Sequence, residues 1–264
     1  KITGGEPLVR KDAIVLIRKL KKVPGITSVT LTTNGVLLEQ YYDELIDAGI
    51  DSITVSLDTM KRNVYQQITR RDELERVLRG IEKAIRENRV RLKINCVCVA
   101  GIDTQNVLAL LNYAQRADVD IRFIEMMPIG LGRQFSFVSE AVIRKMIEEK
   151  DGKLTPYGKT RGNGPCKYYD VPGFIGKVGF ISAVSHKFCD TCNRVRLTSD
   201  GFLKSCLQYD HGVYLKSLLE QKVSDEILWE TMKTAIKQKP KAHHFDEKKT
   251  KNEDEIRGMS QIGG

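Results

Sequence analysis

Hydrophobic and polar positions along the first half of this chain alternate in two rhythms, one with a period near two and one near 3.6. Residues 28–33, Ser28-Val29-Thr30-Leu31-Thr32-Thr33, read as a strand that ends at the turn Asn34-Gly35. Residues 38–48 read as a helix stopped by Gly49. The next strand covers 52–57 and ends at Asp58, and a broken helical stretch then carries Val64, Tyr65 and Ile68. Over 73–88, Leu74, Val77, Leu78, Ile81 and Ile85 fall on one stripe, which predicts a helix. A strand over 90–99, a helix over 104–117, a strand over 120–125 and a helix over 140–150 follow, the last with Ser139 as its N-cap. A basic amphipathic helix over 12–22 precedes them all, and Lys1-Ile2-Thr3 opens the chain as a strand.

Strands that alternate with helices imply βαβ units and a parallel sheet. No G-x-G-x-x-G follows a strand, which argues against a dinucleotide-binding fold. Polar residues gather where strands end, at 4–6, 32–34, 56–58 and 122–127, as on the active face of a barrel. The expected fold is therefore an α/β chain built on an incomplete parallel barrel over residues 1–150. On its fourth strand Lys93 points inward, while Cys96 and Cys98 pack outward as buried hydrophobes.

After residue 150 the texture changes. Gly, Lys and Pro crowd 151–165 and mark a boundary to a second segment, 151–264. Short strands are expected at 167–171 and 177–182, then a hairpin turned by Ser199-Asp200-Gly201. Helices are expected at 212–221 and 225–237, the second capped by Ser224, carrying Trp229 in the core and ended by Pro240. The tail 241–264 is polar and expected to be extended.

Candidate chemistry concentrates between these elements. Cys189 and Cys192 form a C-x2-C knuckle, and the hairpin returns Cys206 beside them. Three thiolates without an evident fourth ligand leave one corner open on a zinc ion or on a cubane iron–sulfur cluster. A structural zinc ribbon that borrows Cys166 or His186 is the competing reading. Arg194 and Arg196 alternate directly after the knuckle, which sets two guanidiniums beside the open corner, as a polyanion requires. At the chain's start Gly4-Gly5 allows close backbone approach to a ligand, and Glu6 adds a carboxylate at the strand's end.

The totals narrow the partners. The 264 residues carry a formal net charge of +9, without an aromatic-interleaved basic stripe, so a small phosphate-rich substrate is favoured over nucleic acid. No apolar run approaches a membrane span. Six cysteines, three of them at ligand spacing, suit a reducing cytoplasm better than a disulfide framework.

Taken together, the motifs resemble the molybdenum cofactor biosynthesis protein A family, the GTP 3′,8-cyclases, which are radical S-adenosylmethionine (SAM) enzymes. The matching segments are Ile2-Thr3-Gly4-Gly5-Glu6-Pro7-Leu8, Leu31-Thr32-Thr33-Asn34-Gly35, Val55-Ser56-Leu57-Asp58, Ile121-Arg122-Phe123-Ile124-Glu125, the Phe188 to Leu197 run, Ser199-Asp200-Gly201 with Cys206, and Ile262-Gly263-Gly264. The resemblance implies a partial (β/α) barrel, with its first unit missing here, whose open side is closed by a C-terminal α+β iron–sulfur segment. It implies two [4Fe–4S] clusters. One cleaves SAM to a 5′-deoxyadenosyl radical, and the other, on three cysteines, binds GTP through its open iron. The ribose C3′ loses hydrogen and attacks guanine C8, giving (8S)-3′,8-cyclo-7,8-dihydroguanosine 5′-triphosphate, the first step toward molybdopterin.

Residue by residue, the resemblance assigns Cys189, Cys192 and Cys206 to the second cluster and Gly4, Gly5, Glu6, Ser56 and Met127 to SAM. It assigns Lys1, Thr32, Lys93, Arg122, Arg194, Val195 and Arg196 to GTP, and brings Gly263 and Gly264 to the active site. At Lys1 the family has Arg, so the charge is kept and the bidentate fork is lost. Implied partners are GTP, an electron donor and a downstream cyclic pyranopterin monophosphate synthase, with no membrane or nucleic acid and a homodimer left open. The family's C-x3-C-x2-C motif does not occur. The expectation is that the radical-generating cluster belongs to a longer parent protein and that this chain alone does not cleave SAM. The alternatives are a zinc-ribbon module that binds nucleic acid, another radical SAM enzyme with an auxiliary cluster, or a non-functional piece.

Overall fold

The computed structural model describes residues 1–101, 104–159, 161–245 and 254–263. Helix α1 (Ala13–Lys21) leads to β1 (Thr30–Thr33), α2 (Leu38–Asp47), β2 (Ser52–Ser56), α3 (Arg62–Thr69), α4 (Leu74–Glu87), β3 (Arg91–Cys98), α5 (Thr104–Arg116) and β4 (Val119–Glu125). Then come α6 (Glu140–Asp151), β5 (Thr155–Pro156), β6 (Lys167–Asp170) and β7 (Val178–Ile181). The sheet order is β1-β2-β3-β4-β7-β6-β5. Neighbours from β1 to β7 pair in parallel, and β6 and β5 add antiparallel strands at one edge. At the other edge Ile2 lies parallel to Leu31, its amide donating to Thr30 O at 2.7 Å and its carbonyl accepting from Thr32 at 2.9 Å. The sheet is open: an incomplete barrel, with strands from both sides of residue 150 sharing it.

The pairing register shows why one sheet serves both as core and as site. Because side chains alternate across a strand, Leu31, Ile53, Leu92 and Val119 form one row, and Thr33, Val55, Ile94, Ile121 and Val178 the next, on the same face. That face is buried in the main core together with residues of α2, α4 and α5. On α4 the buried residues are Leu74, Val77, Gly80, Ile81 and Ala84, one stripe at helical spacing, and α4 packs on α2. The opposite face carries Thr32, Thr54, Lys93 and Asp120 in one row and Ser56, Asn95 and Arg122 in the next. Cys96 and Cys98 lie in the apolar core with free thiols.

The C-terminal segment is thinner. A three-stranded antiparallel sheet joins β8 (Arg196–Leu197), β9 (Phe202–Lys204) and β10 (Gly212–Tyr214) in the order β10-β9-β8. Gly201 makes the hairpin turn with φ +83°, and a Cβ there would stand 2.6 Å from Lys216 Cβ, so no other residue fits. Helices α7 (Leu215–Glu220), α8 (Asp225–Lys237) and α9 (Met259–Ile262) complete the segment.

Four expectations need correction here. Residues 212–214 pair with β9 as a strand, so the helix expected from 212 starts at Leu215. Trp229 is 62% exposed, on a helix that buries none of its residues among the described part of the chain. The tail is not wholly extended, since α9 forms and Ile262 is buried. Ser139 stands at the start of α6 without a side-chain cap, and the Glu140 amide donates instead to Glu125 Oε1 at 3.2 Å. The basic run at 247–251 and Gly264 lie outside the described residues. Among the described residues no helix is long and apolar enough to cross a membrane.

Candidate functional site

Parallel strands align their carboxyl ends along one edge. Gly4 and Gly5 follow Ile2 there, Ser56 closes β2 and is exposed, and Met127 follows β4. Gly4 has φ +145° and nothing within 4 Å of an added Cβ, which leaves open space over its backbone for a ligand. The Glu6 carboxylate is committed to local bonds. It accepts from Leu8 N at 3.0 Å, Thr33 Oγ1 at 2.8 Å and Asn34 N at 2.6 Å, tying the first strand's end to that of β1.

The polar rows of the sheet end in cations. Arg122 is oriented by Nε donating to Asn95 Oδ1 at 2.8 Å and Nη2 donating to Thr54 Oγ1 at 3.1 Å. Lys93, only 7% exposed, donates to the Arg161 carbonyl at 3.0 Å. Burial pulls its ammonium down to about 8, with Arg122 adding to the fall and Asp120 opposing it. Lys1 is exposed by area, but protein packed around its ammonium, together with Arg122, Arg196, Arg194 and Lys93, also brings it to about 8. Four cations, Lys93 of β3, Arg122 of β4, and Arg194 and Arg196 of the cysteine segment, thus act on the Lys1 ammonium. Thr32 is buried, and its Oγ1 has no hydrogen-bond partner among the described residues.

Beyond this group the chain makes the knuckle. Residues Cys189–Thr191 form a 3-10 turn, with Cys192 N donating to Cys189 O at 3.0 Å. Cys189, Cys192 and Cys206 line one cavity of about 90 Å³ with Arg194, Arg196 and Met127. Val195 alternates away and is 44% exposed. The Arg194 guanidinium lies 5.0 Å from the Phe188 ring centroid, which holds it over the knuckle. Arg196 Nε is buried without a hydrogen-bond partner among the described residues. Burial lowers the Arg196 guanidinium, with Arg194 adding to the effect and Cys192 and Cys206 opposing it.

The donor set fits a sulfur cluster. All three thiols are free. His243 N donates to Cys189 Sγ at 3.4 Å and Lys239 Nζ to Cys192 Sγ at 3.3 Å, the hydrogen bonds that stabilise cluster-ligating thiolates. Burial alone would raise the Cys192 thiol, but hydrogen bonds from the Arg194 amide and guanidinium, with the Lys239 ammonium, bring it down to about 7. Among the described residues no three His, Cys, Asp or Glu side chains converge on a point as a single ion needs. Neither fourth ligand proposed for a zinc ribbon lines this cavity. Cys166 Sγ lies against Gly179 on the sheet's polar side, and His186 Nδ1 is 3.0 Å from Ser185 Oγ.

Sequence reasoning missed several residues that build the site. Glu125, 3% exposed, accepts from Val184 N at 2.9 Å and from Ser185 N at 2.8 Å and Oγ at 2.5 Å, fixing the loop that leads to Cys189. Its only sequence signal is a carboxylate at a strand's apolar end. Lys239 and His243 come from beyond α8, and nothing in their spacing announces them. The tail returns as well: Ile262 packs with Ile129 and Phe245, and an added Cβ on Gly263 would lie 3.3 Å from Thr3 Cγ2.

Residues 1–114 match the family model for the Radical SAM superfamily, and residues 119–245 match that for Molybdenum Cofactor Synthesis C. Relatives named GTP 3′,8-cyclase align over all of this chain. That of Clostridium perfringens (strain SM101 / Type A) is 44% identical over 265 residues, covering 100% of this chain and 81% of the relative. Those of Petrotoga mobilis and Alkaliphilus metalliredigens are 41% and 38% identical, each with the same 100% and 81% coverage. The radical SAM superfamily in general uses a [4Fe–4S] cluster and SAM. With both family models matched and these relatives aligned over the whole chain, the chain belongs to the GTP 3′,8-cyclase family of radical SAM proteins.

Proposed function

We propose that this chain binds GTP for the joining of ribose C3′ to guanine C8, which gives (8S)-3′,8-cyclo-7,8-dihydroguanosine 5′-triphosphate, and that the chain does not itself generate the radical, since it contains no C-x3-C-x2-C motif. The observation that carries the reading is that Arg194 and Arg196 line one cavity with three free thiols, and that they, Lys93 and Arg122 all act on the Lys1 ammonium. A triphosphate needs several fixed cations around one volume. Arg122 and Arg194 are already oriented by Asn95, Thr54 and Phe188, so little side-chain freedom remains to be lost on binding. The Thr32 hydroxyl on the sheet and Arg196 Nε in the cavity lining are two buried donors without a hydrogen-bond partner among the described residues.

Cys189, Cys192 and Cys206 would hold a [4Fe–4S] cluster, and Gly4, Gly5, Glu6, Ser56 and Met127 would line the SAM site. Bound there, the cluster would supply an open iron for the base, whereas the one-electron chemistry that activates the ribose requires a further cluster whose C-x3-C-x2-C ligand motif this chain does not contain. The protein's own part is to clamp the phosphates, orient the base toward the thiol-lined cavity and exclude water. Val195 would contribute its backbone, since its side chain faces outward. The apolar cluster of Ile129, Phe245 and Ile262 seals one side, and Gly263 stands next to Thr3, at the start of the Gly4-Gly5 segment. The reading places the chain in a reducing cytoplasm, served by an electron donor and followed by a cyclic pyranopterin monophosphate synthase.

Iron analysis after anaerobic reconstitution tests the proposal. The chain as isolated should take up about four irons in an oxygen-labile brown form, and Cys206→Ala should lose most of them. One tightly held zinc in a colourless protein would overturn the cluster and favour the zinc ribbon.

A further inference from the structure

Lys93 and Asp120 are cross-strand register partners on the polar face of the sheet. Opposite charges so placed and so buried ordinarily pair, and a paired lysine offers little to an incoming phosphate. Here the pair is not made. Arg161, from the loop between β5 and β6, inserts beside Asp120, with Nε donating to Oδ2 at 3.1 Å and Nη2 lying 2.9 Å from Oδ1. The same Nη2 donates to Asp118 Oδ1 at 2.8 Å, and Tyr157 stacks with its ring centroid 5.5 Å from the guanidinium. Arg161 is 8% exposed and Asp120 is fully buried. Lys93 is left with the neutral carbonyl of Arg161 and, among the described residues, forms no ion pair of its own. The loop passes so close that a Cβ on Gly162 would stand 3.1 Å from Lys93 Nζ.

We propose that Arg161 is a positioning residue: it holds the Asp120 carboxylate away from Lys93 and leaves that ammonium charged and uncommitted for the substrate's phosphates. The proposal rests on the reading of the site as a nucleoside triphosphate site. Lys93 is otherwise faced by Lys1, Arg91, Arg122 and Cys166, none of which offers a carboxylate. Losing the Arg161 charge turns Asp120 toward its register partner. Phosphate affinity should then fall, and the Lys93 titration should move up from about 8, because a paired ammonium holds its proton longer.

The test uses the whole reconstituted chain and three variants: Arg161→Gln, Arg161→Lys, and Arg161→Gln combined with Asp120→Asn. Two quantities are read, GTP affinity by equilibrium dialysis and the Lys93 midpoint by NMR of 13C-methylated lysines in ligand-free protein. Arg161→Gln should weaken GTP about tenfold and raise the midpoint, a loss of the size of one charge-assisted contact. Arg161→Lys should recover most of the affinity, and removing Asp120 in the Gln variant should restore it. Unchanged affinity and midpoint in folded Arg161→Gln would overturn the proposal, as would failure of the double variant to recover. If Arg161→Gln does not fold, Asp120→Asn alone decides. The proposal expects it to leave GTP affinity near that of the wild type, and a large loss would count against it. Absence of GTP binding by the wild type would refute the substrate reading instead, and the ligand-free midpoint would still show whether Arg161 keeps Asp120 from Lys93.

Discussion

The parallel sheet with its helices and the cysteine-bearing C-terminal segment are held together by different forces. In the first, apolar rows such as Leu31, Ile53, Leu92 and Val119 run strand to strand beneath α2, α4 and α5. In the second, α8 buries no residue, and among the described residues the local apolar cluster centres on Ile129, Phe245 and Ile262. Charge takes the place of hydrophobic area there. The fully buried Lys204 ammonium is in contact with the Glu255 carboxylate, which also accepts from Arg257 at 2.9 Å and so anchors the tail to β9. A region stabilised this way is weak on its own and gains stability from what it binds. The sheet thus presents a finished row of polar residues, whereas the cysteine segment would be completed by the cluster proposed for it.

The contrast can be broken at either end. Glu255→Gln should cost about 3–5 kcal/mol, because it strands the buried Lys204 charge. The loss should be confined to the C-terminal segment and appear as rapid proteolysis near α9 while the sheet stays protected. Arg257 and Lys204 outweigh burial and hold Glu255 at about 2, so its contribution is complete above about 4.5 and is lost as pH falls toward 2. Ile53→Ala, at a site with no exposure, should cost about 2–5 kcal/mol and lower the midpoint of global unfolding in urea.

A smaller effect separates site from scaffold by the sign of a pH slope. Burial lowers Lys93 from 10.5 to about 8, so between those values the unfolded state binds the extra proton and the ligand-free protein gains stability as pH rises. GTP prefers the ammonium, so its affinity should fall over the same window, by about tenfold for the loss of one strong charge contact. Parallel slopes would mean that Lys93 does not face the phosphates. The smallest effect belongs to Trp229→Ala, which should stay within about 0.5 kcal/mol of the wild type because the ring is 62% exposed.

How much the sequence revealed divides along the same line. The strands and helices of the sheet region lie close to where hydrophobic rhythm places them, since one buried face imposes one period. The Ser199-Asp200-Gly201 hairpin was legible because the turn demands a positive φ that Gly201 supplies. Trp229 misled because apolar residues are not obliged to be buried. Arg161, Glu125, Lys239 and His243 were silent because their partners are long-range: Arg161 acts on Asp120 and Lys93, 41 and 68 residues away, through bonds no local pattern encodes. Arg194, Arg196 and Lys93 were legible from their alternation along strands and Lys1 through the resemblance, while their common action on the Lys1 ammonium emerges from the fold.

The most direct measurement is the GTP affinity of anaerobically reconstituted Arg196→Ala beside the wild type, with iron counted in the same samples. The account predicts equal iron and GTP binding weakened by about tenfold or more, as expected when one of several phosphate-facing cations is removed. Equal iron with unchanged GTP affinity would contradict it, for the guanidinium beside the three thiols would then have no part in holding the nucleotide.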